Sequence, residues 1–175
     1  MFLECFGILL LTIAAGTILS QIPGLNYGWT NIFYQECGNI AVKPIMEGSQ
    51  SNNIAIRLMV PFFFLALAFV LPFLARIEEN IFRKGSQYSW LAIIKQSIIF
   101  GLFHCIVGIS IAFGLALSIP GFFYGFKYKK HFDRNEEILD YSLAEEEAIL
   151  VSTTYHTMYN MIAVILLIII AITMI

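Results

Sequence analysis

A few residues able to do acid–base chemistry stand inside or at the edge of long apolar runs: Glu78 and Glu79 with Arg83, Lys95, His104, and His156 with Asn160. Each is costly in hydrocarbon unless it faces a cavity or a partner, so their spacing carries the information. In the stretch EENIFR, Glu79 and Arg83 lie four residues apart and can form an ion pair on one face of a helix. Glu78 points about 100° away from Glu79 on such a helix. The two carboxylates are therefore expected to serve different partners, Glu79 through Arg83 and Glu78 elsewhere. In FGLFH, Phe100 and His104 share a face, which makes the ring a wall beside the imidazole. In HTMYN, His156 and Asn160 bring an imidazole and a carboxamide together in the same way, flanked by Tyr155 and Tyr159 as interfacial anchors or packing aromatics. Taken singly, each has an ordinary explanation: helix-end charges, or a histidine bonded to a nearby carbonyl. Taken together, a carboxylate, two imidazoles and a carboxamide on separate helices are the groups needed to activate water and stabilise an oxyanion.

Long apolar elements must position these groups. The chain has 175 residues, 59% hydrophobic and 13% charged, with a mean hydropathy of +0.80. That composition belongs to an all-α integral membrane protein, multi-pass and organised as a single membrane domain over residues 1–175. A net charge of -2 and the lack of a basic patch give no sign of a nucleic-acid partner. Cys5, Cys37 and Cys105 are far apart in the sequence, and no disulfide framework is expected. Apolar stretches run from Phe2 to Ser20, Ile54 to Ala75, Trp90 to Phe126, and about Ala148 to Ile175. The first carries Glu4 in place of the basic flank of a secretory signal and reads as a retained helix. The third would make a helix of roughly 55 Å against a hydrocarbon core of about 30 Å, so two helices with a turn near Val107 to Ser110 are expected.

Charge placement leads independently to the same division. Arg76, Arg83 and Lys84 fall in one loop, and Lys127, Lys129, Lys130 and Arg134 in another. About five transmembrane helices put both loops on the cytoplasmic side, with the N-terminus inside and the C-terminus outside. Residues 21–53 then face outward, with Tyr27, Trp29, Phe33 and Tyr34 suited to an interfacial belt. Residues 127–150 read as a cytoplasmic linker. Ser142 and Glu145 have capping-box spacing, so the last helix is expected to begin near Ser142, with the acidic run 145–147 as its solvated face.

The order EExxxR, FxxxH, HxxxN, present as Glu78-Glu79 to Arg83, Phe100 to His104 and His156 to Asn160, resembles the CPBP family of intramembrane proteases. That family includes the CAAX prenyl endopeptidases and bacterial relatives linked to bacteriocin processing and immunity. The resemblance covers roughly residues 60–165, and Gly121 and Gly125 add a small-residue spacing that lets helices approach closely. It implies an intramembrane endopeptidase in which Glu78 is the general base that takes a proton from water. His104 would position that water, or bind a metal with His156, and His156 and Asn160 would donate to the oxyanion. Glu79, Arg83 and Phe100 would support this set. Zinc is an optional cofactor on this reading, and a glutamate-and-water mechanism without it is equally consistent. The implied partners are the lipid bilayer and a protein or peptide substrate, either a prenylated C-terminus or a leader peptide. A noncatalytic scaffold or bacteriocin-immunity-type protein on the same fold is the alternative. A small proton-linked transporter ranks below both, because no inverted repeat is visible.

Depth sets a condition on this reading. His104 lies about 20 Å past Trp90 along a helix, whereas His156 is expected near the cytoplasmic end of its own. The two can meet if residues before about Ser97 run outside the hydrocarbon, as Lys95 and Gln96 imply.

Overall fold

The structure, a computed structural model, describes residues 1–33 and 38–173; Tyr34 and Cys37 lie outside the described residues. The chain is all-α, and the described residues contain no strand. Seven α-helices follow in order: α1 (Phe2–Leu19), α2 (Val42–Gly48), α3 (Ile54–Phe82), α4 (Trp90–Phe103), α5 (Ile111–Ala116), α6 (Ser118–Asn135) and α7 (Tyr141–Thr173). Among the described residues, four segments are long and apolar enough to cross a membrane: α1, α3, α4 with its 3₁₀ extension to Val107, and α7. Where a fifth crossing was expected the chain forms α5 and α6, two shorter helices that meet at Leu117 and are not among these four. On α3, Phe62, Phe69, Phe73, Ile77 and Ile81 are all exposed, a face that suits lipid and would be unfavourable in water.

Local chemistry sets the ends of these elements. The Asn53 side chain accepts from Ala55 N–H at 2.9 Å to start α3. The helix then runs through Pro61 and Pro72, which membrane helices tolerate. After α4 the chain tightens into a 3₁₀ turn over His104–Val107, reverses at Gly108 and restarts at Ser110, whose hydroxyl caps α5. The expected turn between Val107 and Ser110 is thus present. Gly108 has φ +94°, a conformation open to glycine and strained for other residues. The segment after α1 is strapped across this turn. Trp29 Nε1–H donates to the Cys105 and Ile106 carbonyls, and the Thr30 hydroxyl to Gly108 O. The short helix α2 was not foreseen in the sequence; it packs against α3.

Helix α3 lies along α7, α6 packs against both α4 and α7, and α1 closes against α5 and α7. The approach of α6 to α4 depends on its glycines. A Cβ at Gly121 would come 2.9 Å from the Phe100 ring, and one at Gly125 2.6 Å from Ile93. At the end of α1, Lys127 Nζ bonds Glu4 at 2.6 Å and the Tyr155 hydroxyl at 3.2 Å.

The segment 127–150 is a correction to the sequence reading. It is no loose linker, because α6 continues to Asn135 and α7 begins at Tyr141. Tyr128, Phe132, Ala144, Ala148 and Ile149 form a buried cluster between them. Asp140, not Ser142, caps α7, accepting from Ser142 N–H at 2.9 Å and Leu143 N–H at 3.2 Å. The Ser142 hydroxyl donates to the same carboxylate, and with these amides it holds Asp140 below its ordinary range. The cap is therefore intact near neutral pH and is lost as pH falls through that lowered value. Glu145 is likewise not part of a solvated face. It is buried, bonded to Gln87 and Tyr141 and paired with Lys84 at 3.3 Å. The reason is the loop between α3 and α4, where Gln87 also accepts from the Tyr128 hydroxyl and folds onto this face of α7.

Replacing Gly108 by alanine should cost more than about 1 kcal/mol, since it adds φ strain to a Cβ 2.5 Å from the Gly38 carbonyl oxygen. Gly7→Ala, on an open face of α1 with nothing within 4 Å of its Cβ, should be neutral or stabilising by up to about 1 kcal/mol. Thermal unfolding of both variants in detergent micelles checks the contrast.

Candidate active site

Two adjacent glutamates near the end of α3 meet one histidine of α7. Glu79 is fully buried, and its carboxylate accepts from Arg83 Nε at 3.0 Å. It also takes the Ser152 hydroxyl in a short bond and His156 Nδ1–H at 2.9 Å. An ionised carboxylate only accepts, so the proton of this last bond sits on Nδ1. The other ring nitrogen, Nε2, lies 3.6 Å from Glu78 Oε2. The expectation that the two glutamates serve different partners is corrected here. The imidazole lies between them, with Nδ1 bonded to Glu79 and Nε2 turned toward Glu78, so an angular separation of about 100° does not part them.

The carboxylates differ in exposure. Glu79 is completely enclosed, whereas the Glu78 side chain keeps 30% of its surface open. Arg83, also fully enclosed, spreads over the Phe100 ring with its Cζ 5.2 Å from the centroid. A cation on an aromatic face is favourable, more so when desolvated. Its two terminal nitrogens make no hydrogen bond among the described residues.

Phe100 stands next to both histidines. Its ring meets His104 edge-on at 4.8 Å and His156 at 5.5 Å. His104 Nδ1–H donates to the Phe100 carbonyl at 2.8 Å, so this ring too is held through Nδ1. The ring is half-buried at the start of the 3₁₀ turn. Asn160 is half-buried too, one turn beyond His156 on α7, a rise of about 6 Å. Lys95 is exposed on α4, away from the buried cluster.

The depth condition resolves simply. His156 is not near the start of its helix, because α7 begins at Tyr141, two turns before its apolar part. His104 follows the first residue of α4 by 14 positions and His156 follows that of α7 by 15. Both imidazoles therefore stand at matching heights above their helix starts, each about 20 Å up.

Two contributors were not singled out from the sequence. Ser152 is one turn before His156, so Ser152, His156 and Asn160 share one face of α7; the i,i+4 spacing was a usable signal. Tyr124 comes from α6 and stacks on the His156 ring at 4.6 Å. No local pattern points to it, since its approach depends on which helices are neighbours.

A zinc ion held by His104 and His156 would need at least a third protein ligand. Among the described residues, no group of three or more His, Cys, Asp or Glu side chains is arranged to share a metal ion. What the arrangement offers is a partly exposed carboxylate, two imidazoles each held through Nδ1, and a carboxamide, backed by a buried carboxylate with its own counter-ion.

Comparison of the chain with protein-family models, curated proteins and solved structures gives no match.

Breaking the buried ion pair on one side should be expensive. Arg83→Met leaves Glu79 without its cation and should lose about 3–5 kcal/mol, while the double variant Arg83→Met, Glu79→Gln should recover a measurable part of that loss. Unfolding of the single and double variants in mixed micelles reads the coupling between them.

Proposed function

We propose that the chain is an intramembrane endopeptidase of the CPBP type, using a glutamate-activated water to cleave a peptide bond near the membrane surface. The observation that carries this reading is the single imidazole of His156 set between a saturated, buried Glu79 and a half-exposed Glu78. A general base needs room for water and a carboxylate not already committed to donors. Glu78 meets both needs and Glu79 meets neither.

In the reaction, Glu78 takes a proton from water as the oxygen attacks the substrate carbonyl carbon. The carbonyl becomes a tetrahedral oxyanion, and the Asn160 carboxamide N–H donates to it. His156 donates from Nε2 when it carries both ring protons, with Glu79 accepting the other. Collapse of the intermediate breaks the C–N bond, and the proton held by Glu78 passes to the leaving amine. His104, with Nδ1 fixed on a carbonyl, offers Nε2 as an acceptor for the same water. The substrate is a membrane-associated protein or peptide, with a prenylated C-terminus or a leader peptide as the two classes that the family resemblance brings.

Mapping new peptide termini in the native membrane proteome tests the proposal, comparing wild type with Glu78→Gln at matched expression. Termini that fall by about 100-fold or more in the variant are expected, the scale of a lost general base. An identical map, with the variant folded and present, would sink the protease reading in favour of a noncatalytic scaffold or immunity protein.

A further inference from the structure

Tyr124 takes no part in the reaction as written, yet its ring lies nearly flat on the His156 imidazole, with centroids 4.6 Å apart and planes 17° from parallel. Phe100 meets the same imidazole edge-on, at 81°. Tyr124 is 1% exposed, and its hydroxyl, though buried, has no hydrogen-bond partner among the described residues. A buried hydroxyl without a partner is unfavourable, so hydrogen bonding by the phenol does not account for the residue. The ring face does. A single bond from Nδ1 to Glu79 leaves the imidazole free to rock about that bond, and a flat ring packed on its face removes this freedom. The same residue is tied to the carboxylate site through its backbone, because the Ser152 hydroxyl that reaches Glu79 also lies 3.2 Å from the Tyr124 carbonyl oxygen.

We infer that Tyr124 is a positioning residue, whose ring holds the plane of the His156 imidazole so that Nδ1 stays on Glu79 and Nε2 stays turned toward Glu78. The inference rests on the proposed function for its catalytic meaning, but the geometry it asserts is measurable without any substrate. Gly121 and Gly125 make it feasible from the backbone side. They flank Tyr124 on α6 and bring that helix close enough to α4 for Phe100 and Tyr124 to confine the imidazole from two directions.

The test uses the full chain, ¹⁵N-labelled at its three histidines, in lipid nanodiscs, with His156→Gln to assign the ring signals. Tyr124→Phe keeps the ring face and should leave the His156 pair of nitrogen signals as in wild type. Tyr124→Leu removes the face and should broaden or split that pair, while the His104 and His131 signals report that the fold persists. If Tyr124→Leu disturbs those signals as well, Tyr124→Met, which fills similar space without a ring face, is read in its place. Unchanged His156 signals in the ring-less variant, or equal disturbance by Tyr124→Phe, would overturn the inference. In the termini map, Tyr124→Phe should keep the Glu78-dependent products, and the ring-less variant should lower them by about 10-fold or more. A wild type that makes no such products, together with a ring-less variant that frees the imidazole, would reject proteolysis and leave the positioning role standing.

Discussion

The carboxylate of Glu79 is the point on which the rest of the site depends. It is enclosed completely and receives Arg83 from its own helix, and Ser152 and His156 from α7. A buried charge must be paired and hydrogen-bonded to be tolerated, and here the donors come from two helices that also share the more exposed pair of Arg76 with Glu146. Sliding α3 by one turn against α7, about 5.4 Å, would part the carboxylate from both α7 donors at once. Apolar packing tolerates such a slip far more easily than a charge does. The interaction thus contributes specificity of register more than net stability, and the register in turn sets where Glu78 falls relative to His156.

Part of this was legible in the sequence, for reasons that differ from residue to residue. The Glu79–Arg83 pair follows from i,i+4 spacing, because both ends lie on one helix and the geometry is local. The same holds for Phe100 with His104 and for the reversal around Gly108, where an apolar run is too long for one crossing. The convergence of Glu78 and Glu79 on one imidazole was not legible. Helix periodicity gives the angle between two side chains but not the position of a third group placed between them. Tyr124 and the burial of Glu145 fall under the same limit, since each depends on a neighbour that the local pattern does not name. Glu145 looked solvated because it opens an acidic run, yet Gln87, Lys84 and Tyr141 close over it.

Adjacent glutamates in one helix turn are an economical way to make two unlike carboxylates from one residue type. Glu79 is saturated with donors and shielded, which suits it to hold an imidazole and makes it a poor acceptor of further protons. Glu78 keeps only a 3.6 Å approach to Nε2 and a partly open surface. On the proposed reading this difference is the division of labour: one carboxylate fixes the geometry and its neighbour meets the water. Exchange of their roles would require rotating α3 by about 100°, which the Arg83 guanidinium, wedged over Phe100, opposes.

On the proposed reading, depth explains how water chemistry and a lipid-facing exterior coexist in one chain. Helices α4 and α7 each begin well before His104 and His156, and the polar layer of Lys84, Gln87, Tyr128, Tyr141 and Glu145 occupies that lower zone. The candidate residues therefore stand above a region rich in hydrogen-bonding groups, while the exposed phenylalanines of α3 form a separate, apolar face. A hydrolase in a bilayer needs such a graded environment, because the nucleophile must arrive from water while the scissile segment arrives with its apolar flank in lipid. The loop that folds Gln87 onto α6 and α7 is then more than a connection. It carries the hydrophilic side of the protein up to the foot of the Glu79 cluster, and the length of α7 before its apolar part is what gives that layer its height.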